Sequence, residues 1–548
     1  MPPATSSSQP IGLRAVAPAA VRDLDWDADR ARALGTEVVD LWGELLERLR
    51  SMPVGGRAPA PEVRAAVIRD IPREPVSLDD LTATLRTIAF EHATYTGHPG
   101  FMAYITGSGT IPGAAGDFLA AALNQNVGGW RLSPAATEIE LHLGRWFATR
   151  LGLPSTAGGY VTSGGAMAAF VALKAARDRK AGWSIRELGA RGGPPLALYA
   201  SAQVHDVNSR AADMLGLGRD AVRAIPVDGS LAMRADALQA AIARDVRDGV
   251  KPIAVIATAG TVSTGAIDPL DEIAEICGEH NLWMHVDGAY GGVAALTDAL
   301  KPLFSGIERA DSVALDPHKW LYTPHSSGLI VVRDFHHLGD AFSIDPSYVH
   351  DDKELTGRGI DLYALGPQFS RGFHALKVWV SLLAHGWDAY ERRIAHDVAL
   401  ARYAYDSART HPALETVGPP PRLSIACFRY APPELRDDPA AEPYLNRLNE
   451  RLMAELQLAG RVFPSNAVID GRFALRACIV NFRTEAADID ALIAQATEMG
   501  AALHTSGEVG GPAGPRPPPA PAPCGRGGAA EGGAGCGISP RTHTRPRG

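Results

Sequence analysis

The sequence predicts an α/β protein built on a mostly parallel sheet with helices on both faces. Two observations carry this. Between Leu151 and Val332, short apolar stretches alternate with helical segments, the pattern of successive strand–helix units. Two of those stretches also end in chemically pointed residues: Leu282-Trp-Met-His-Val runs into Asp287, and Val313-Ala-Leu is followed by Asp-Pro-His-Lys319. Polar groups at the carboxyl ends of neighbouring parallel strands share one crevice.

The elements follow in order. Residues 1–24, rich in Pro, Ala and Ser, read as a loose arm. From Asp25 to Leu49, Val38, Val39, Leu41, Leu45, Leu46 and Leu49 recur at helical spacing. This helix either packs on its own core or is exchanged with a second subunit. The strand candidates Ala197–Ala200, Ile253–Thr258, Leu282–Val286 and Val313–Leu315 alternate with helices at Ala166–Arg179, Asp236–Val246 and Pro269–Glu279. Beyond about Ala395, weaker strands (Ser424–Phe428, Leu475–Phe482) and helices (Glu442–Leu456, Ala487–Met499) suggest a smaller α+β unit. From Gly507 onward Gly, Pro and Ala dominate, a composition that predicts disorder.

Composition narrows the function. The 548 residues are 46% hydrophobic and 21% charged, ordinary for a large globular chain. The net charge of −8 is spread along the chain with no basic stripe, against nucleic-acid binding. Cys277, Cys427, Cys478, Cys524 and Cys536 form neither a CxxC pair nor a disulfide framework. With no signal-like start and no apolar run of membrane-spanning length, a cytoplasmic location away from the membrane is expected.

Lys319 and Asp287 form the leading candidate site. A lysine at a strand end can form a Schiff base, helped by partial desolvation or by a cation such as His318. An acid beside it can keep a pyridine nitrogen protonated, the pairing that pyridoxal phosphate (PLP) requires. Lone residues permit plainer readings. Lys319 would serve as a surface lysine, and Asp287 equally well as an acceptor for the Gly288-Ala-Tyr-Gly-Gly turn. Thr162-Ser-Gly-Gly-Ala-Met167 opens an Ala-rich helix, where free N–H groups suit an anion. It lacks the GxGxxG and GxxxxGK[ST] patterns. His205, after another strand candidate, would stack on a cofactor ring or make a structural hydrogen bond.

Taken together, the ordered motifs resemble the group II PLP-dependent decarboxylases, most closely their aromatic-L-amino-acid (DOPA) decarboxylase branch. They run from His98-Pro-Gly-Phe through Ser133-Pro-Ala-Ala-Thr-Glu138, Thr162-Ser-Gly-Gly, Thr258-Ala-Gly-Thr261, Asp287-Gly-Ala289 and Asp316-Pro-His-Lys-Trp320. Asp345-Pro-Ser-Tyr348, Ser370-Arg-Gly-Phe and Arg476-Ala-Cys-Ile-Val-Asn481 complete the set, over roughly residues 30–500.

The resemblance implies a fold-type I, PLP-dependent transferase-like protein with a seven-stranded, mostly parallel sheet, forming a homodimer with composite active sites. It divides the chain into a flexible arm (1–24), a helical dimerisation segment (25–100), a large PLP-binding domain (101–395), a small α+β domain (396–503) and a Gly/Pro-rich tail (504–548). Lys319 would carry the cofactor and Asp287 pair with its ring nitrogen. His205 and Ala289 would pack on its two faces, and Gly164, Gly165 and Ala166 would lie at its phosphate. Thr261 and His318 would contribute around it. Tyr104 and Ile105 would line the substrate pocket, with Val127 reaching over from the partner subunit. Tyr348 would protonate the substrate carbon, giving an amine rather than an aldehyde.

The implied activity is therefore decarboxylation of an L-amino acid, aromatic by resemblance, to amine and CO2. Oxidative conversion to an aldehyde, decarboxylation of glutamate or 2,4-diaminobutyrate, and a catalytically silent binding protein are the alternatives. Several positions depart from the pattern. Ala166 and Met167 stand where a hydroxyl residue and Glu are frequent, and Gly372 stands where Arg is frequent. Gly129 and Thr96 fall near aromatic positions of the animal enzymes. Asp316 replaces Asn, and an ionised acid cannot donate to phosphate, so no phosphate role is expected for it.

Overall fold

The computed structural model describes residues 24–56, 58–343, 359–436 and 438–509. The arm at 1–23, the Asp345-Pro-Ser-Tyr348 motif and the tail beyond 509 lie outside these residues.

Among the described residues, twelve strands form two sheets. In chain order they are β1 (Phe101–Met102), β2 (Gly158–Thr162), β3 (Leu196–Ser201), β4 (Val222–Ile225), β5 (Lys251–Thr258) and β6 (Trp283–Asp287). These are followed by β7 (Ser312–Leu315), β8 (Gly328–Val332), β9 (Leu414–Thr416), β10 (Ile425–Tyr430), β11 (Phe463–Ile469) and β12 (Arg472–Cys478). The seven-stranded sheet has the order β2-β8-β7-β6-β5-β3-β4 and is parallel except for β8, which runs antiparallel to both neighbours. The five-stranded sheet, β1-β11-β12-β10-β9, is antiparallel apart from the β1–β11 pair.

The large sheet forms where the sequence is apolar on both strand faces. Ile253 to Ala257 of β5 have no exposed surface, because helices cover both sides. One of these is Gly165–Lys180, whose Ala168, Val171, Ala172 and Ala175 pack inward. Its basic last turn (Arg177, Arg179, Lys180) complements the helix dipole. The small sheet has a separate core, with Phe428, Leu448, Leu475 and Leu492 fully buried.

Register positions the site. Thr258 on β5 lies opposite Asp287 on β6, and Asp287 lies opposite Ala314 on β7. The carboxyl ends of these strands therefore finish at one level. The chain also reverses direction across the sheet here: β4 lies on one side of β3 and β5 on the other, the arrangement that opens a crevice.

Two boundaries differ from the sequence reading. The last helix runs Ala486–Ser506, so the tail expected from 504 begins later; Gly507, at φ 67°, ends the helix in the left-handed conformation that glycine adopts freely. The final strand is Arg472–Cys478 rather than Leu475–Phe482, since it begins at the Asp470-Gly471 turn after β11.

Candidate active site

Lys319 sits on a short helix, Pro317–Trp320, directly after β7. Its neighbour Trp320 has no exposed surface, stacks on Tyr290 with ring centroids 5.1 Å apart, and donates its indole N–H to Asp397 Oδ2 at 3.0 Å. The lysine is thus the half-buried member of an otherwise anchored turn. Gly107 packs against the same turn: its N–H donates to His318 O at 3.1 Å, and a Cβ there would lie 2.3 Å from Lys319 O. Lys319 Nζ lies 3.0 Å from Asp316 Oδ2.

Asp287 ends β6, buried. Its Oδ2 accepts from Asn208 Nδ2 at 2.8 Å and its Oδ1 from Ala289 N–H at 3.3 Å. Both readings of this acid meet here, because the carboxylate accepts from the following turn and also faces the cleft. On the same face of β6, His285 is fully buried, and burial pushes its imidazole down to about 4, so it stays neutral.

The cleft brings together Lys319, Asp287, His205, Ala289, Gly165 and Ala166, with Ile105 at its edge. His205 is exposed to it, and its Nδ1 accepts from Val207 N–H at 3.1 Å, so a structural hydrogen bond and a cleft position coexist. Gly164 caps the Gly165–Lys180 helix. In that helix, Met167 and Ala168 N–H already donate to Gly164 O, while helix geometry gives Gly165 and Ala166 N–H no intrahelical acceptor. A wider surface cleft beside Asp268 and Arg422 contains neither Lys319 nor Asp287, so chemistry rather than size marks the site.

Four expected residues fall elsewhere. The Thr261 hydroxyl accepts from Ala266 N–H at 3.0 Å and closes the Ala259–Ala266 loop; its neighbours Gly260 and Val262 line the cleft instead. His318 is held below its ordinary range by burial, and its Nδ1 lies against the Ser327 backbone, 2.6 Å from O and 3.1 Å from N, so it is not the cation suggested beside Lys319. Tyr104 is 63% exposed and outside the cleft. Val127 is 0% exposed, packed in the core of its own chain, and has no surface to offer a partner's pocket.

Asn208 was missed. It is fully buried, and its Nδ2 donates to both His205 O (3.2 Å) and Asp287 Oδ2. A polar side chain three residues after His205, on the inward face of a helix, was the available signal.

These groups suit PLP. An amine and a carboxylate face one cleft, and free helix N–H groups offer a place for phosphate. Two buried cleft oxygens, Thr258 Oγ1 and Asp316 Oδ1, have no hydrogen-bond partner among the described residues. A parallel α/β sheet with a lysine and an acid at adjoining strand ends defines a fold-type I PLP enzyme.

The comparisons carry this further. The pyridoxal-dependent decarboxylase conserved domain matches residues 61–431. The chain is 33% identical to the aromatic-L-amino-acid decarboxylase of Bacillus atrophaeus, over 84% of this chain and 94% of that one. It is 28% identical to phenylacetaldehyde synthase of Arabidopsis thaliana, over 83% and 92%. The structure of Oryza sativa TDC with PLP and tryptamine superposes with a TM-score of 0.81 at 28% identity, covering 88% of this chain and 99% of that one. The chain belongs to the pyridoxal-dependent decarboxylase family and is a PLP-dependent amino acid decarboxylase.

Proposed function

We propose that the enzyme converts an aromatic L-amino acid to its amine and CO2 as a homodimer. The observation that carries this is the meeting of Lys319 and Asp287 in one cleft with the free N–H groups of Gly165 and Ala166. The names of the relatives support the aromatic class.

When bound, PLP supplies a conjugated ring that accepts the electron pair left as the bond between Cα and the carboxylate breaks. Lys319 would hold its aldehyde carbon, Asp287 a proton on its ring nitrogen, and His205 and Ala289 its two faces. The N–H groups at Gly165 and Ala166 would take its phosphate, with Gly164 capping the helix behind them. Asn208 restrains Asp287 from below and ties it to the His205 backbone. Ile105, buried at the cleft edge, excludes water from the substrate side. By resemblance, Tyr348 would deliver the proton to Cα, which together with His205 favours the amine over the aldehyde.

The dimer is supported by the helix Ile111–Leu123, which leaves Ile111, Phe118, Leu119 and Leu123 exposed. A second core on one face of the small sheet supports a small domain beyond about residue 395, whose other face packs on the core of the large domain. Free thiols at Cys277, Cys427 and Cys478 suit the cytoplasm, and no helix among the described residues is long and apolar enough to cross a membrane.

Incubating the holoenzyme with a panel of L-amino acids, while measuring CO2, amine and peroxide together, tests the reading. CO2 and amine in equal amounts from aromatic substrates are expected. Peroxide with aldehyde, or turnover confined to acidic amino acids, would overturn it.

A further inference from the structure

His285 sits two residues before Asp287 on β6, so both side chains leave the same face of the sheet. It has no exposed surface, and its two ring nitrogens differ. Nδ1 lies 2.9 Å from the hydroxyl of Ser312, its register partner on β7. Nε2 is buried without a hydrogen-bond partner among the described residues.

The proton positions follow from the chain of contacts. An indole N–H can only donate, so Ser312 Oγ accepts from Trp283 Nε1 at 2.8 Å. Among the described residues the Ser312 hydroxyl has no other acceptor, so its own hydrogen goes to His285 Nδ1. Burial pushes the His285 imidazole down to about 4, with Asp287 opposing, so the ring is neutral and carries one proton. That proton lies on Nε2. The two nitrogens of an imidazole point in widely different directions, so Nε2–H is turned away from β7.

A complementary group is buried beside the same acid. Asn208 donates to two acceptors, His205 O and Asp287 Oδ2, which sets its amide with the nitrogen toward Asp287. Its Oδ1 is left buried and without a partner among the described residues. An orphaned donor and an orphaned acceptor, both adjoining one carboxylate, are stabilised when each satisfies the other.

We infer that His285 is a positioning residue: held in its Nε2–H form by Trp283 and Ser312, it supports Asn208 Oδ1, directly or through one buried water, and so keeps the Asn208 amide turned toward Asp287. The inference rests on the PLP reading above, in which Asp287 holds the proton on the ring nitrogen. Every hydrogen bond in the line Trp283, Ser312, His285, Asn208, Asp287 then points the same way, an alignment in which each bond polarises the next. No proton is transferred along it; the line orients the carboxylate.

The test has two parts, both on the full-length protein. Solid-state 15N spectra of histidine-labelled apoenzyme and holoenzyme, with the His285 signals assigned by their loss in His285→Gln, report the tautomer. A protonated Nε2 and an unprotonated Nδ1 at neutral pH are expected. A protonated Nδ1 would overturn the proposal whether or not PLP binds. The second part compares His285→Gln, whose amide nitrogen reaches the Nε2 position, with His285→Asn, whose amide reaches only the Nδ1 position. His285→Asn should weaken PLP binding about tenfold and alter the visible circular dichroism of the bound cofactor, while His285→Gln should stay within about threefold of wild type and keep its spectrum. Both variants lose the ring, so a purely structural role would affect them alike. Equal losses of affinity, or wild-type affinity and spectrum in His285→Asn, would overturn the proposal and leave the PLP site intact. Failure of wild type to bind PLP would overturn the cofactor reading and the positioning role with it, whereas the tautomer is read independently in the apoenzyme.

Discussion

Asn208 donates its side-chain amide to Asp287 Oδ2 at 2.8 Å, from a helix that starts two residues after His205. The same nitrogen reaches His205 O, so one buried side chain sets both the acid and the backbone beneath the histidine. A hydrogen bond to a charged group contributes about 1.5–3 kcal/mol. Asn208→Ala is therefore expected to weaken PLP binding by about 10- to 100-fold, and to shift the pH dependence of the bound cofactor's spectrum. The pH dependence of the bound cofactor's visible absorption separates this from a general loss of fold. An unshifted profile with normal affinity would remove Asn208 from the site.

The strands under the active site were legible because β3, β5, β6 and β7 are short apolar runs. β8, Gly328-Leu-Ile-Val-Val332, is just as apolar, but its antiparallel direction leaves no mark on composition. Lys319 and Asp287 were readable as polar punctuation at strand ends. Thr261 and His318 were misplaced because local sequence does not say which way a side chain turns: one closes a loop and the other bonds the Ser327 backbone. Asn208 acts only through its neighbours, so its role depends on a contact 79 residues away.

Arg371 and Glu140 form a buried ion pair that fastens the end of β2. Arg371 also donates to Val161 O at 2.6 Å, and Glu140 accepts from Val161 N–H at 2.9 Å. Burial pushes Glu140 up, with Arg371 opposing. Arg371→Met leaves an uncompensated buried acid and is expected to cost about 3–5 kcal/mol in denaturant unfolding. The double variant Glu140→Gln, Arg371→Met should recover a large part of that loss. Additive losses would show that the two side chains act independently.

Gly107 lies where any side chain would meet the Lys319 turn, its Cβ position being 2.3 Å from Lys319 O and 2.7 Å from His318 O. Backbone must move to admit a methyl group there. Gly107→Ala should retain most of its thermal stability yet lose at least about tenfold in kcat, because a lysine displaced by about 1 Å no longer meets its target well. Borohydride reduction should label Lys319 more slowly in the variant. Wild-type labelling and kcat would show that the turn yields without moving the amine.

Asp397 ties the same turn to the long helix Trp387–Thr410. Its Oδ2 accepts from Trp320 Nε1 and from Tyr322 OH (2.6 Å), and its Oδ1 pairs with Arg393 at 2.6 Å. Burial raises its carboxyl to about 6, against the pull of Arg393. With the folded-state value raised, the native state favours the protonated acid. That contribution is complete below pH about 4 and is lost as pH climbs through about 6, amounting to roughly 3 kcal/mol at most. Asp397→Asn can keep both Oδ2 hydrogen bonds through its amide oxygen but no longer titrates. Wild type should therefore lose stability relative to the variant between pH 4 and pH 7, read as the difference in melting temperature. Parallel curves across that range would mean that Arg393 already holds Asp397 ionised throughout.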